Sequence, residues 1–496
     1  MRITNGILIN NSLSNINNNK TTLDTLNTQL ASEKKIQRPS DDPIIAIRAL
    51  RFRSTLLEID QYLIKNIPDA ESWMTCTDEA MENIVGILGD VTEYCNQAVN
   101  GYYDTTNKNT IVESLKAFRD QMFSDANADC AGRTIFTGYK TDGTLTFLQD
   151  SKNKYEITQK FSGDNLDIIS KVTNSLDVST IDDTTIASTN VSAIKLPTQV
   201  QAYRLRLAYD EVDSDSGAVL QMNDGSTITT TTKKSTDAGV YEPGDNEAYF
   251  LYDTGELILG KNVYSQLRSA ANDDDGNAFS VTYTKEGFKK GELDPIQYFD
   301  CVDKTESDSS KWITYTNRNQ EITYEINFNQ TIKINTQGKD VFTQDMTRDL
   351  DDIIDAVNYA LNVENKKAKI EELYNNAEED SLEKSKYKDI LDLCDRELDM
   401  AKDNMKKAFS NGMACFTKHQ NIVTLAQTDV GARLKRLELN QSRLEAQQTT
   451  VTKLKSTNED VNTGEVGVEL TEAESIYDAS LIAASKIVQK KLLDFI

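Results

Sequence analysis

The spacing of apolar residues changes twice along this 496-residue chain, and that change limits the folds open to it. Up to about residue 133 apolar residues recur every three or four positions, and from residue 344 that spacing returns; between these limits they alternate in short segments. The outer patterns predict helices and the middle pattern predicts strands. We therefore expect an α+β fold, in which long antiparallel terminal helices form a coiled-coil or helical-bundle stalk and a β-rich insert lies in mid-sequence.

These patterns divide the chain into five segments. Residues 1–40 are predicted to form an N-terminal helix that pairs with a C-terminal helix at residues 460–496. Residues 41–133 and 344–459 are predicted to form the two parts of a helical bundle. In the second part, proline is absent and glycine is scarce, so long helices are expected there. Residues 134–343 form the predicted β-rich insert.

Two seven-residue repeats in the bundle segments predict helix-to-helix packing. From Met74 to Ala98 apolar and small residues follow in alternating steps of three and four, which is the spacing of a coiled-coil seam. A second seam recurs every seven residues near the other end of the chain, at Val423, Val430, Leu437, Leu444 and Val451. We expect the two seams to pack against each other.

The last segment carries the clearest apolar stripe, with steps that follow an eleven-residue repeat close to the period of a straight helix. Its residues are Leu470, Ala473, Tyr477, Leu481, Ala484, Val488, Leu492 and Phe495. The matching N-terminal positions are Leu13, Ile16, Leu23 and Leu30. Burying such a stripe yields less free energy than ordering the segment costs, so we expect it to fold against a partner and to serve as a subunit interface.

A helix is predicted to begin near residue 43. Asp42 is a favourable N-cap residue, and Pro43 suits the first helical position because its missing N–H would have no intrahelical partner there. An apolar-periodic run of Ile47, Leu50, Leu57 and Ile64 follows. In the insert, alternating residues predict one hairpin around residues 322–334 and another over residues 248–260.

Composition excludes several classes of function. The net charge of −25 disfavours nucleic acid and anionic membrane surfaces as partners. A single histidine, His419, rules out any multi-histidine metal site, and the six cysteines form no CxxC pair. No segment approaches eighteen consecutive apolar residues, so we expect neither membrane insertion nor a cleaved signal peptide.

Two near-motifs are interpreted as structural. Residues 255–262 nearly spell a phosphate loop, but Asn262 replaces the metal-binding Ser or Thr, and the residues between the glycines look like a strand. The acidic segment at residues 272–276 lacks the ligands of a calcium loop. We therefore expect no catalytic residue, no metal and no cofactor.

Several segments resemble the flagellin-related axial proteins of bacterial flagella, and among them the hook-associated protein 3 family that joins hook to filament. One matching segment is RPSDDPIIAIRAL at 38–50. It begins with the family motif, which consists of Arg38, Pro39, Ser40, Asp41, Asp42 and Pro43. The other matching segments are MRIT at 1–4, EYCNQAVNG at 93–101, GRTIFTGYKT at 132–141, GARLKRLELNQSRLE at 431–445 and TEAESIYDASLIAASKIVQKKLLDFI at 471–496.

The resemblance implies a structural, non-enzymatic subunit that self-assembles through its terminal helices. It also implies that residues 1–40 and 460–496 form an inner layer, that residues 41–133 and 344–459 form a helical bundle layer around it, and that the insert at residues 134–343 lies outside. Its implied partners are further copies of itself, an adjacent hook-associated protein, flagellin, and an export chaperone at the C-terminal helix. It also implies export through the flagellar type III channel to an extracellular site at the hook-filament junction. The alternative is a flagellin with a β-rich outer domain, although flagellins usually carry a GDDAAG-like motif where this chain has Ser40 to Pro43.

Two further classes of function concern the insert. A hydrolase in residues 140–343 would need a histidine, metal-ligand spacing or a nucleophile elbow, and the segment has none of these. A surface adhesin would need only a ligand-binding face, which the sequence neither indicates nor excludes.

Overall fold

A computed structural model describes residues 5–100, 105–179, 181–182, 184–273 and 276–493. The expected α+β fold is confirmed: long helices occupy both ends of the chain and strands occupy its middle. A π-helical turn at Tyr62–Asn66 joins the second helix to the third. In chain order the α-helices are α1 Asn5–Ser32, α2 Pro43–Gln61, α3 Ile67–Asn100, α4 Thr105–Ala126, α5 Lys261–Arg268, α6 Pro295–Tyr298, α7 Gly338–Val341, α8 Gln344–Asn376, α9 Leu382–Glu459 and α10 Thr463–Leu493.

The strands lie between α4 and α7. They are β1 Asp129–Cys130, β2 Arg133–Thr134, β3 Ser151–Phe161, β4 Leu166–Thr173, β5 Thr198–Arg206, β6 Ala218–Met222, β7 Thr227–Thr229, β8 Thr231–Lys233, β9 Ala248–Leu251, β10 Glu256–Leu259, β11 Phe279–Phe288, β12 Asp300–Asp303, β13 Ile313–Tyr315, β14 Thr323–Asn327 and β15 Gln330–Lys333.

Within the described residues the strands form two larger sheets and two hairpins. One sheet has the order β4-β5-β10-β9-β8, and the other has the order β13-β12-β3-β11-β6-β7. The β9–β10 and β14–β15 pairs confirm the two predicted hairpins. All pairings except β8–β9 in the larger sheets are antiparallel, as expected for strands joined by short turns.

The chain divides into two compact units. The terminal unit consists of Met1–Ala70, Tyr324–Ile332 and Lys435–Ile496. The central unit consists of Glu71–Thr323 and Lys333–Leu434. Helices α3 and α9 contribute residues to both units, and each unit is described by itself below.

The predicted seam of α3 lies in the core of the central unit. The eight residues of this seam, which begins at Met74 and ends at Ala98, are all buried. Val423 and Val430 of the α9 seam are buried too. The Gln420 amide of α9 donates to the carbonyl of Val85 at 3.3 Å. A Cβ on Gly412 would lie 3.5 Å from Cys95 Sγ, so α3 and α9 approach closely here. In the central unit the two predicted seams therefore belong to helices that pack together.

The phosphate-loop glycines have structural roles. Gly255 has a φ of +63°, and a Cβ there would lie 1.8 Å from the carbonyl oxygen of Tyr209. A Cβ on Gly260 would lie 2.1 Å from the carbonyl oxygen of Gly244. The residues between them form β10, which is hydrogen-bonded on both sides. Close backbone packing explains these glycines without a bound phosphate.

A buried ionic network joins the first sheet to α8 within the central unit. Arg204 of β5 is 3% exposed, and its guanidinium lies 2.7 Å from Glu256, 2.7 Å from Asp352 and 2.6 Å from Asp167. Arg206 shares the Asp352 carboxylate at 2.7 Å. Because each charge faces opposite charges, the network offsets the cost of burying its members.

The same helix holds two aspartates with opposite electrostatic environments. Burial opposes ionisation of Asp352, but Arg204 and Arg206 outweigh it and hold its pKa well below the ordinary value. Burial raises the pKa of Asp355 to about 6; Lys171 opposes that rise, whereas Asp351 and Asp352 add to it. The folded state therefore favours the charged form of Asp352 and the neutral form of Asp355.

Asparagine substitutions at these two positions should change stability in opposite directions. Asp355→Asn should raise the free energy of unfolding at pH 7, because the amide replaces a carboxylate whose pKa the fold raises. The Asp355 side chain is exposed to solvent, which screens its charge, so the gain should be small. That gain should disappear as the pH falls from 6 to below 4, where both states hold the proton. Asp352→Asn should lower the free energy at pH 7, and its loss should shrink only below about pH 4. Urea unfolding at several pH values measures both, and a shift of the same sign in both variants at pH 7 would contradict this account.

Candidate subunit interface

Helices α1 and α10 pack against each other in the terminal unit. Most buried and half-buried positions of α1 follow in steps of three and four, at Ile9, Ser12, Ile16, Asn19, Leu23, Leu26 and Leu30; Gln29 and Ser32 at its end are half-buried as well. The corresponding series of α10 is Val466, Leu470, Ala473, Tyr477, Ser480 and Ala484, with Gly467 half-buried beside it. Both series have the seven-residue period of a coiled-coil seam, and they mark the faces by which the two helices meet.

Some of the interface residues predicted from the sequence lie on this seam, and others are exposed to solvent. Ile16, Leu23 and Leu30 of α1 lie on the seam, whereas Leu13 is 53% exposed. On α10 the predicted Leu470, Ala473, Tyr477 and Ala484 lie on the seam. The side chains of Val488 and Leu492, and all of Phe495, lie outside the described residues.

The eleven-residue repeat assigned a seam position to Leu481, but Leu481 is 42% exposed. The neighbouring Ser480 is half-buried and takes that seam position. The contact positions of α1 recur every seven residues, so its partner presents residues with the same period. The eleven-residue pattern thus does not describe the packed face of α10 in the described residues.

The Arg38–Pro43 motif connects α1 to α2. The Asp41 carboxylate accepts hydrogen bonds from the backbone N–H of Arg38 at 2.8 Å and of Gln37 at 3.0 Å, and these bonds lower its pKa. Asp42 Oδ1 accepts from Ile44 N at 2.8 Å and Ile45 N at 3.1 Å, which confirms the predicted cap and the start of α2 at Pro43. Pro39 and Ser40 are exposed. The motif therefore sets where one helix ends and the next begins.

The connector is tied to the corresponding turn between α9 and α10. The backbone N–H of Lys35 donates to Glu459 O at 2.8 Å, and that of Val461 donates to Glu33 O at 3.1 Å. Arg53 of α2 donates two hydrogen bonds to the buried Glu459 carboxylate, from Nε at 3.0 Å and from Nη2 at 2.8 Å. These bonds fix the entry and exit of the terminal helix pair as one element.

Helix α2 has one buried face and one uncovered apolar face. It runs antiparallel to the end of α9, as Gln448 donates to Asp60 at 2.6 Å and Asn458 donates to Ile45 O at 3.0 Å. Ala46, Ala49 and Ile59 are buried. On the other face, three large apolar residues of α2 and one of the following π-helical turn are exposed in a row that we call the α2 stripe. Their exposures are Ile47 55%, Leu50 61%, Leu57 71% and Ile64 68%.

The α2 stripe carries positive charge along its edges. Arg48 and Arg51 of α2 and Lys65 of the following π-helical turn all have exposed side chains, and one exposed acid, Glu58, lies between Arg51 and Lys65. The charges of these four residues sum to a net positive edge. In a chain with a net charge of −25, an apolar row bordered by cations is a distinctive surface. It is suited to a partner that is both apolar and acidic.

Helix α10 presents an apolar surface with acidic residues on the side opposite its seam. Val468, Ile476 and Ile482 are 69%, 49% and 57% exposed, and we call this side the α10 outer face. Its exposed acidic residues are Glu465, Glu469, Glu472 and Asp478. Sequence reasoning missed this face because it followed one apolar stripe; the signal was a second apolar series at 468, 476 and 482 on the same helix.

Neither the α2 stripe nor the α10 outer face holds groups arranged for catalysis, and His419 has a structural setting. Its Nε2 lies 2.8 Å from Asp349 Oδ2, and its Nδ1 lies 3.3 Å from Thr343 Oγ1. Among the residues that the structure describes, no three His, Cys, Asp or Glu side chains could hold a metal ion together. Within that same part of the chain, no helix is long and apolar enough to cross a membrane.

Comparison with known proteins identifies the segment that builds α1 to β2. Residues 3–141 match the bacterial flagellin N-terminal helical region. The resemblance to flagellin-related axial proteins is confirmed. Flagellar hook-associated protein 3 of Salmonella typhimurium is 27% identical over 143 residues, which are 29% of this chain and 45% of that protein. Flagellar hook-associated protein 3 of Escherichia coli is 26% identical over 156 residues, 31% of this chain and 48% of that protein.

The chain thus spans about half the length of the curated relatives it matches. Among solved structures, FlgL of Xanthomonas campestris overlaps 82% of this chain and 99% of its own chain, with 12% identity and a TM-score of 0.31. An overlap at that TM-score supports no inference about fold or function. The sequence matches over 143 and 156 residues are what relate this chain to hook-associated proteins.

Proposed function

We propose that this protein is a structural subunit of the bacterial flagellum that assembles at the junction between hook and filament. The observation that carries the proposal is the match of residues 3–141 to the flagellin N-terminal region, together with curated relatives named hook-associated protein 3. The uncovered apolar surfaces of the terminal unit support an assembling role, since stable monomers rarely expose such rows. The function is mechanical rather than enzymatic.

Assembly joins the α2 stripe of one copy to the α10 outer face of the next. One surface is apolar with cationic edges and the other is apolar with acidic edges, so their potentials are complementary. Because the two surfaces differ, the contact is heterologous, and repetition of a heterologous contact that does not close on itself generates a helical array. A short helical zone is what a junction between two tubular structures requires.

Other partners follow from the same position in the flagellum. Further copies of the chain, an adjacent hook-associated protein and flagellin would contact the terminal unit on successive levels of the array. A flagellar export chaperone would cover α10 before assembly, because its exposed Val468, Ile476, Leu481 and Ile482 need protection in the free chain. The destination would be extracellular, at the junction between hook and filament.

The amount and place of the protein in the flagellum test the junction role. In sheared, purified flagella we expect a trace quantity relative to the filament protein, confined to the hook end, because a junction zone contains few subunits. Quantitative mass spectrometry gives the ratio, and immunogold labelling gives the position. A chain that outnumbers every other axial protein along the whole filament would be the flagellin instead, and its absence from flagella would overturn both roles.

A further inference from the structure

Two cysteine side chains of the central unit lie in direct contact. Cys76 is on α3 and Cys130 is on β1, 54 positions later, and their sulfur atoms are 3.1 Å apart. Both are partly exposed, whereas Cys95, Cys301 and Cys394 are buried. Small oxidants therefore have access to this pair, and neither sulfur must travel far to meet the other.

Both cysteines sit on ordered backbone. Cys76 lies in the interior of α3, one residue before the buried Thr77. Cys130 is paired in register with Arg133 across the β1–β2 hairpin, and the Asp129 carboxylate closes the turn by accepting from Gly132 N at 3.0 Å. Cys130 Sγ also lies 3.8 Å from Ser72 O of α3. The contact between the sulfurs is thus a property of two packed elements.

We propose that Cys76 and Cys130 form an intramolecular disulfide, which makes this pair an oxidative modification site independent of the proposed assembly role. The oxidant is a small-molecule disulfide of the oxidised-glutathione class. Once formed, the bond ties α3 to the hairpin through which the chain passes from the helices into the sheets.

The exchange proceeds in two balanced steps. Cys76, as the thiolate, attacks one sulfur of the oxidant, forms a mixed disulfide and releases one small thiolate. Cys130 then loses its proton and attacks Cys76 Sγ, which forms the protein disulfide and releases the second small thiolate. The two protein thiols are oxidised, the small disulfide is reduced to two thiols, and the two protons end on those thiols.

The environment of Cys130 determines the order of these steps. Burial raises the pKa of the Cys130 thiol to about 11, and the hydrogen bond with Cys76 adds to the rise. Cys130 is therefore a poor first nucleophile and suits the second, intramolecular attack, for which proximity compensates. Oxidation is expected to accelerate as the pH is raised from 7 to 9.

The full-length, reduced protein tests the proposal. After incubation with oxidised glutathione at pH 8, the intact mass should fall by the mass of two hydrogens without added glutathione. Digestion after glutamate should then release a peptide pair that joins Cys76 to Cys130 and separates on reduction. Glu79, Glu82 and Glu93 lie between Cys76 and Cys95, so this cleavage distinguishes the two cysteines.

Matched variants complete the test. Cys130→Ser should abolish the linked peptide pair and retain a glutathione adduct at Cys76, whereas Cys95→Ser should leave the linkage intact. The oxidised wild type should unfold at a higher urea concentration than the reduced form, and Cys130→Ser should show no such shift. Stable glutathione adducts at both cysteines of the folded wild type, or linkage only in denaturant, would overturn the proposal.

Discussion

Leu57→Asp is expected to weaken assembly of the purified protein strongly while leaving the monomer folded. Leu57 is 71% exposed in the centre of the α2 stripe, so the substitution removes little from the core of the monomer. In an assembled array the same position would be covered by apolar atoms, where an unpaired carboxylate costs several kcal/mol. The critical concentration for polymerisation, measured by sedimentation, should therefore rise roughly tenfold or more.

Leu425→Asp is the matched control. Leu425 is 73% exposed on α9 in the central unit and lies outside both proposed contact surfaces. It changes the same residue type to the same charge, so polymerisation should continue at the wild-type concentration. Circular dichroism and thermal unfolding should show both variants folded. Unchanged polymerisation of folded Leu57→Asp would remove the α2 stripe from the proposed interface.

The same assay identifies the partner surface. Arg51 borders the α2 stripe, and Glu472 lies on the α10 outer face between Val468 and Ile476. Arg51→Glu and Glu472→Arg should each raise the critical concentration, most strongly at low salt, because each places like charges opposite one another. The double variant should recover polymerisation. Two independent losses without recovery would mean that the α2 stripe binds some surface other than α10.

Arg204→Met is expected to destabilise the central unit by about 3–5 kcal/mol, the range for removing one partner from a buried ion pair. Methionine roughly keeps the volume of the side chain, but it removes the guanidinium that donates to the buried Glu256 carboxylate at 2.7 Å and leaves Lys171 as its nearby cation. Asp352 and Asp167 lose a hydrogen-bond donor at the same time. Urea unfolding followed by a probe in the sheets should show the midpoint falling sharply.

Arg268→Met provides the comparison. Its guanidinium lies 3.3 Å from Asp164, but both side chains are largely exposed, at 49% and 91%. A solvent-exposed pair contributes about 0–1 kcal/mol, so the midpoint should move little. Equal decreases in the free energy of unfolding of the two variants would show that burial does not strengthen the contribution of the Arg204 network to stability.

Element type and several boundaries were predictable from local pattern. Asp42 and Pro43 predicted the start of α2, and alternation predicted the β9–β10 and β14–β15 hairpins, because caps and short turns depend on residues close in sequence. The ionic network was not predictable. Arg204 and Asp352 are 148 residues apart, and no local pattern indicates that they share a buried site.

The candidate interface was also predictable only in part. Apolar periodicity correctly indicated that α1, α2 and α10 each have an apolar face, but it could not say which face the chain itself covers. On α2 the fold buries Ala46, Ala49 and Ile59 and leaves Leu50 and Leu57 outside. Only one face of the helix can pack against α9, so the apolar residues of the other face are left for another molecule.

The sequence by itself determined the helical ends, the β-rich middle, the helix cap at Asp42 and the resemblance to flagellin-related axial proteins. Each of these depends on the order and spacing of neighbouring residues. Only the tertiary structure decided that Ser480 rather than Leu481 is the half-buried residue of α10, that the α2 stripe stays uncovered, and that Cys76 meets Cys130. These depend on which distant surfaces compete for the same space, and that competition is settled only when the whole chain packs.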